Sequence, residues 1–336
     1  MLLYVTNDKI GSTTGGGQVT KYELEALASL GSVDVINPNS TPNPFDSEKQ
    51  LLDQDYSKYK LAHFYGGTFP NLVQKLKHLG VKVTYTVAAH DVEVSRSEFQ
   101  KLGLEFNFPH LNDPNLFEKY ISSYKQSDIV ICPSKIAQET NNCYGINNTT
   151  IIPHGHEPVK NKRTPKTFTV GYLGQCGPDK GIRYLIEAWA ILNYHDAILS
   201  LAGSQTPMLL PLIRYFGKGN INIEGWVDSV EDFYNSCSVY VQPSATEGFG
   251  IEVLEAMSAG RPVIVSDGAG ALDVMDSCGL SFNKCNAIKL AECISSLKNS
   301  EKARLHYGTN AEKKAKDYTW EKVKELYINL WKDMLS

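Results

Sequence analysis

The stretch EGFGIEVLEAMSAGRPVIVSD (residues 247–267) contains the pattern that decides the fold. Its first half carries apolar residues at helical spacing, and a glycine and a proline then end the helix before a β-branched strand. Gly248 and Gly250 precede the helix, so an anion can closely approach the N–H groups of its first turn. Two acids, Glu247 and Glu255, flank this helix start roughly 12 Å apart, at about 1.5 Å per helical residue. A ligand with both phosphate and hydroxyl groups fits this pattern, whereas two ordinary surface glutamates, like Glu252, are the simpler interpretation.

Short apolar strands alternate with amphipathic helices along the whole chain. In the first half we predict strands at LLYVTN, VDVIN, LAHFY, VKVTYTVA and DIVICPS, and helices at QVTKYELEALASLG, LVQKLKHLG and KIAQETNNCYG. In the second half we predict strands at TFTVGYLG, AILSLAG, NINIEGWV, SVYVQPS and RPVIVSD, and helices at IRYLIEAWAIL, VEDFYNSC, IEVLEAMSAG and AIKLAECISSLKN. Strands that alternate with helices imply parallel sheets covered on both faces, so we predict an α/β protein with two doubly wound domains.

A polar, proline-bearing segment at 157–167 is typical of a linker and divides the chain into 1–156 and 157–319. The last segment, 320–336, is predicted to be a helix that docks on the protein itself. Its apolar face comprises Trp320, Val323, Leu326, Tyr327, Leu330, Trp331 and Met334.

Composition excludes several classes of function. The 336 residues carry a net charge of −4 and no long basic run, so a nucleic-acid surface is not indicated. The seven cysteines form no C-x-x-C pair and no zinc-like spacing with histidine, which favours a reducing compartment. The sequence shows neither a signal peptide nor an apolar run of membrane-spanning length, so we expect a soluble cytoplasmic chain.

Three further motifs can each be interpreted either as functional or as structural. The glycine loop 11–20 lies between a strand and a helix, where it suits either an anion or a tight turn, and it matches neither the P-loop nor G-x-G-x-x-G. Lys180 precedes a helix and is placed either to meet a diphosphate or to face solvent. His90 follows a strand at the carboxyl edge of the predicted sheet, where it either contacts substrate or is structural. We interpret His63, inside a strand, as structural.

Together these motifs resemble the retaining glycosyltransferases of family 4, which have the GT-B fold. Residues 224–267 are similar to the most diagnostic region of that family, with Glu247 and Glu255 in its Glu-x7-Glu motif. GYLGQCGPDKGIRYLIEA resembles the phosphate-contacting turn, with Lys180 in the lysine position. GGGQ at 15–18 resembles the N-terminal glycine loop, and TVAAHD resembles the segment whose histidine, here His90, faces donor sugar and acceptor.

The resemblance implies two Rossmann-like domains facing a cleft, with the acceptor on the first, the nucleotide-sugar donor on the second, and helix 320–336 crossing back to the first. It implies catalytic roles for His90, Glu247 and Lys180. The implied donor-binding residues are Gly15, Gly16, Gln175, Lys180, Glu247, Gly248, Phe249, Gly250, Ile251 and Glu255. Gln175 departs from the family, which commonly has arginine there.

The implied reaction is a retaining, metal-independent transfer of a hexose from a UDP-sugar or GDP-mannose to an acceptor hydroxyl. No metal or cofactor is expected, because the Asp-x-Asp at 53–55 lies in a polar loop and looks incidental. Peripheral membrane association is expected only if the acceptor is lipid-linked. A GT-B epimerase or phosphorylase, or a non-catalytic nucleotide-sugar-binding relative, is the alternative.

Overall fold

The chain forms two compact units in the computed structural model, which describes residues 1–12, 14–37, 48–49, 51–87, 91–106, 113–160 and 162–336. The first unit comprises 1–89, 107–155 and 320–336, and the second comprises 90–106 and 156–319. This division differs from the one predicted from sequence chiefly in residues 90–106, which belong to the second unit.

A parallel sheet forms the centre of the first unit. Within the described residues its strands are β1 (Leu2–Thr6), β2 (Val33–Ile36), β3 (Leu61–Tyr65), β4 (Lys82–Thr86), β5 (Ile129–Cys132) and β6 (Thr149–Ile151). Their order is β2-β1-β3-β4-β5-β6, and every neighbouring pair is parallel. All residues of β1 and β3 are buried, as expected for central strands covered by helices on both faces.

Numbered in chain order, the helices of this unit are α1 (Gly15–Ala28), α2 (Pro70–His78), α4 (Pro114–Gln126), α5 (Lys135–Cys143) and α13 (Trp320–Leu335). Helix α4 was not predicted, although Asp113 caps it and Pro114 stands at its first position. The N–H of Gly17 donates to Thr14 Oγ1 at 3.1 Å, which caps α1.

Helix α13 packs in the first unit, as its apolar face predicts. Trp320 stacks on Tyr22 of α1 with ring centroids 4.6 Å apart, and Trp331 Nε1 donates to Thr84 Oγ1 on β4 at 3.2 Å. The packed face is narrower than predicted, because Leu326 is 45% exposed. The residues buried on this helix are Trp320, Val323, Tyr327 and Trp331.

His63 lies in a buried polar cluster between the sheet and α13, which agrees with its structural interpretation. Its Nε2 lies 3.2 Å from Glu23 Oε2, and its Nδ1 lies 2.8 Å from Thr84 Oγ1. Tyr4 donates to the same Glu23 oxygen at 2.9 Å. These contacts tie α1, β1, β3 and β4 together in the interior of the unit.

The second unit repeats this architecture. Within the described residues its parallel sheet has the order β12-β11-β10-β7-β8-β9. The strands are β7 (Phe168–Leu173), β8 (Ala197–Ala202), β9 (Asn220–Gly225), β10 (Val239–Gln242), β11 (Val263–Ser266) and β12 (Gly279–Phe282). The helices are α3 (Val92–Lys101), α6 (Ile182–Leu192), α7 (Leu209–Phe216), α8 (Val230–Ser236), α9 (Ile251–Ser258), α10 (Leu272–Met275), α11 (Ala287–Lys298) and α12 (Glu301–Ala315). Two doubly wound parallel sheets confirm the predicted fold class.

The segment predicted as a linker, 157–167, lies against the second unit. The N–H of Val159 donates to Ser258 Oγ at 2.9 Å, and the N–H of Arg163 donates to Asn235 Oδ1 at 3.0 Å. The polar composition of this segment correctly indicates that it lies outside the sheets. It does not indicate that backbone N–H groups of the segment donate to side-chain oxygens of the second unit.

Candidate functional site

The candidate site is built from loop 243–250, which joins β10 to α9 at the carboxyl edge of the second sheet. The N–H groups of Ala245 and Thr246 both donate to the carbonyl of Asp179, at 2.8 and 3.3 Å. On the other side, the N–H of Glu247 donates to the carbonyl of Gly268 at 2.9 Å, and the N–H of Gly270 donates to Glu247 at 3.0 Å. The loop is therefore held between two neighbouring segments and presents Glu247 from a fixed backbone.

Lys180 and Glu247 meet in this site as an ion pair of 2.5 Å. Their side chains are only 16% and 18% exposed. Burial alone would lower the pKa of Lys180, but attraction to Glu247 and Asp179 outweighs it and the pKa is raised. Lys180 is thus held as a cation beside the loop that leads into α9, and its role in diphosphate binding stays a prediction.

Glycines permit the close approach of these segments. Gly181 has φ +68°, and a Cβ built on it would lie 2.0 Å from the carbonyl oxygen of Pro243. Gly250, the N-cap of α9, has φ +95°. Within the described residues no side chain caps α9. The positive end of its dipole is therefore left to other partners.

Glu255 lies on the second turn of α9 and is partly buried. Tyr234, a fully buried residue of α8, donates its hydroxyl to Glu255 Oε2 at 2.8 Å. This contact fixes the orientation of the carboxylate. Sequence reasoning identified Glu255 but not Tyr234, whose place in VEDFYNSC gave no separate signal.

Glu252 also belongs to this site, although the sequence pattern favours an ordinary surface glutamate at this position. It is partly buried in the first turn of α9, and burial together with Glu247 and Glu255 raises its pKa from 4.5 to about 7. The signal available in the sequence was its spacing of three from Glu255, which puts both acids on one helix face. A third acid therefore belongs to the same electrostatic environment.

The other predicted donor-binding residues of the second unit differ in how far they are exposed to solvent. Phe249 and Ile251 are 2% and 7% exposed, and Gly248 and Gly250 are buried too. Gln175 is exposed, and its carbonyl accepts the hydroxyl of Tyr172 at 2.6 Å. All of these assignments stay predictions. His90 lies outside the described residues, so its role also stays a prediction.

At the carboxyl edge of the first sheet, the predicted glycine loop meets an acid. A Cβ built on Gly16 would lie 2.3 Å from Asp8 Oδ2 and 3.2 Å from the hydroxyl of Tyr65. A Cβ built on Gly67 would lie 2.5 Å from Asn7 Nδ2, so Asn7 adjoins the same edge. Partial burial and the nearby Glu23 raise the pKa of Asp8. The assignment of Gly15 and Gly16 to the donor stays a prediction.

Among the described residues, no group of three or more histidine, cysteine, aspartate or glutamate side chains is placed to hold a metal ion. Asp53 and Asp55 lie in an exposed turn, where Asp55 accepts hydrogen bonds from Ser57. No described helix is both long and apolar enough to cross a bilayer.

The chain is similar in sequence and in fold to known glycosyltransferases. Residues 156–314 match the family model described as glycosyl transferases group 1. An uncharacterised glycosyltransferase of Methanocaldococcus jannaschii is 24% identical over 350 residues, covering 93% of this chain and 87% of that protein. Sucrose-phosphate synthase from Thermosynechococcus elongatus superposes with a TM-score of 0.78 at 18% identity, over 99% of this chain and 98% of that one. Anabaena HepE, solved in complex with UDP-glucose, gives 0.75 at 16% identity, over 99% and 100%. The likenesses confirm the GT-B fold.

Proposed function

We propose that the chain is a glycosyl transferase of group 1, the family whose model matches residues 156–314, and that it transfers a hexose from a nucleoside-diphosphate sugar to an acceptor hydroxyl, with retention of configuration and without a metal. The observation that carries this proposal is the partly buried Lys180–Glu247 pair at the start of α9. A cation and a carboxylate at one helix start suit a ligand with a diphosphate next to a sugar.

The diphosphate binds Lys180 and the first amides of α9. Its two negative charges compete with Glu247 for the lysine, since the lysine is already held as a cation. Glu247 is then released to accept hydrogen bonds from hydroxyls of the transferred sugar. The ion pair therefore keeps both groups in place for the donor.

Glu255 binds the ribose diol of the nucleotide. Tyr234 holds one of its oxygens at 2.8 Å, so the carboxylate is oriented before the nucleotide arrives. A carboxylate accepts both hydroxyls of a diol, and this interaction is equally strong for the donor and for the released nucleoside diphosphate. Glu255 thus contributes to binding rather than to the rate of the chemical step.

The transfer step places most demand on Lys180. The bond from the anomeric carbon to the diphosphate oxygen breaks, and its electron pair adds negative charge to the diphosphate. Lys180 and the helix amides stabilise this charge more strongly in the transition state than in the bound donor. The acceptor oxygen bonds to the anomeric carbon from the same face, and its proton passes to the departing phosphate oxygen.

The donor is proposed to be a UDP-sugar or GDP-mannose, and the complex of HepE with UDP-glucose supports the former. The acceptor hydroxyl is proposed to bind at Asp8, Tyr65 and Asn7. A carboxylate, a phenol and an amide suit hydroxyl ligands, whereas the acid beside Gly16 repels a phosphate there.

The first anomer released on hydrolysis of UDP-glucose tests the proposed reaction without knowledge of the acceptor. Proton NMR at early times, with EDTA present, should show α-glucose before mutarotation because the configuration is retained. Early β-glucose would exclude retention. Turnover that EDTA abolishes and a divalent ion restores would exclude metal independence. No release of glucose from UDP-glucose, or of mannose from GDP-mannose, would count against transferase activity itself.

A further inference from the structure

Helix α3 belongs to the second unit although it follows β4 of the first sheet in sequence. Asp91 caps it, accepting the N–H groups of Glu93 and Val94, each at 3.1 Å. Leu102, directly after its last residue, packs against the hydrophobic core of the second unit. Helix α3 therefore packs in the unit that carries Lys180 and Glu247.

The C-terminal half of α3 is anchored to α6 by Glu98. This carboxylate is 4% exposed and accepts the hydroxyl of Tyr184 at 2.8 Å. Lys101 donates to it at 2.6 Å, and the thiol of Cys285 lies 3.5 Å away. A carboxylate this buried is stable only with such partners, so its position is fixed. Tyr184 stands in the first turn of α6, four residues after Lys180.

The N-terminal end of α3 is anchored to the loop before α9. The N–H of Asp91 donates to Thr246 Oγ1 at 3.0 Å, and Thr246 is 4% exposed. The N–H of Thr246 in turn donates to the carbonyl of Asp179 at 3.3 Å. Thr246 precedes Glu247, and Asp179 precedes Lys180. The second anchor thus reaches the backbone of both members of the ion pair.

From these two anchors we infer that Glu98, Tyr184 and Thr246 are positioning residues of the transfer reaction. Helix α3 acts as a brace that holds the Lys180 turn through Tyr184 and the Glu247 loop through Thr246. This inference rests on the proposed function. A small displacement of a charge in an active site lowers the rate much more than it lowers ground-state affinity. The brace therefore acts on turnover.

Tyr184→Phe and Thr246→Val test the brace, because each removes one hydrogen bond and keeps the side-chain shape. We expect each variant to lower kcat for UDP release from UDP-glucose, or for GDP release from GDP-mannose, by roughly five- to tenfold. Affinity for UDP or GDP should change less than about twofold. The double variant should lose less than the product of the single losses, because both substitutions act through one helix.

Two matched controls in the same unit leave both anchoring hydrogen bonds intact. Tyr215→Phe changes a tyrosine that is 81% exposed, and Glu93→Gln changes a side chain of α3 that is 76% exposed. Both should leave kcat unchanged. Brace variants with a lower melting temperature but normal kcat would overturn the inference, as would losses of kcat and nucleotide affinity in equal proportion. A wild type that releases no nucleotide contradicts the proposed function instead, before any variant is compared.

Discussion

Each unit carries a glycine loop between a strand and a helix at the carboxyl edge of its sheet, and the two loops have different neighbours. In the second unit the loop before α9 meets Lys180, and no side chain caps α9 within the described residues. In the first unit Thr14 caps α1, and the carboxylate of Asp8 lies against Gly16.

Glycines alone therefore do not define a phosphate site. They let a ligand approach the backbone, but the charge of the adjacent side chain decides which ligand is stable there. A cation beside a helix start favours a diphosphate. An acid at the equivalent place favours hydroxyl groups, which is why we place donor and acceptor on different units.

Replacing Lys180 should give the largest loss of activity, because it removes the feature that distinguishes the second unit from the first. Lys180→Ala removes the cation that stabilises the leaving diphosphate, and we expect kcat to fall by about 100-fold or more. Steady-state nucleotide release from the donor measures this. Lys289→Ala is the matched control, since Lys289 is exposed and pairs with Glu292 in the same unit. Comparable loss in both variants would point to the net charge of the unit rather than to the site.

The two acids of the motif should respond differently. Glu247→Gln should reduce kcat by roughly tenfold to 100-fold with little change in UDP or GDP affinity, because its ligand is the sugar. Glu255→Gln should weaken nucleoside-diphosphate affinity by about tenfold, because its ligand is the ribose. Calorimetric titration with each nucleotide measures both. Equal losses of affinity in the two variants would contradict the assignment.

Glu252 provides a stability test of the crowded acids in the second unit. Its pKa is raised to about 7 in the folded state, so the folded carboxyl binds its proton more tightly than the unfolded one. The contribution of this group to the free energy of unfolding therefore falls as pH rises from about 4.5 to about 7. Glu252→Gln should be more stable than wild type by about 3 kcal/mol at pH 8 and nearly equal near pH 4.5.

Urea denaturation across this pH range measures the Glu252 effect. Glu301→Gln is its control, because Glu301 is an exposed acid in the first turn of α12. A pH-independent difference between wild type and Glu252→Gln would show that the folded carboxyl titrates normally.

Asp8 gives the smallest expected effect and tests the first unit. Asp8→Asn keeps one hydrogen-bond acceptor, so we expect a rise of only about three- to tenfold in the KM of a sugar acceptor, once an acceptor screen has provided one. Nucleoside-diphosphate affinity should stay unchanged. A loss of that affinity in Asp8→Asn would move the donor to the first unit and reverse the comparison.

The alternation of strands and helices could be predicted from sequence because it depends on local periodicity. The helices at 92–101, 114–126, 209–216, 272–275 and 301–315 were not predicted, nor were the edge strands at 149–151 and 279–282. The docking of α3 in the second unit was not predictable, because the anchor from Glu98 to Tyr184 spans 86 positions and neither residue stands in a motif.

The candidate site was predictable where its chemistry lies in one short motif. Lys180 and Glu247 stood out because a lysine and an acid each adjoined a helix start, and the structure brings them together. Glu252 and Tyr234 could not be ranked from sequence, since their importance comes from burial and from side chains on other elements. Leu326 belonged to the predicted apolar face of α13, yet only the packing shows that it is exposed.

The binding of a nucleoside diphosphate to the second unit through Lys180, at the start of α9, can be measured without an acceptor. Calorimetric titration of wild type and Lys180→Ala with UDP and with GDP, in EDTA, gives the affinities. We expect one of the two nucleotides to bind wild type with one site per chain, and Lys180→Ala to bind it at least about tenfold more weakly. Equal affinity of the two proteins for that nucleotide would show that Lys180 does not bind the diphosphate, and binding to wild type only after a divalent metal is added would show that a metal is required.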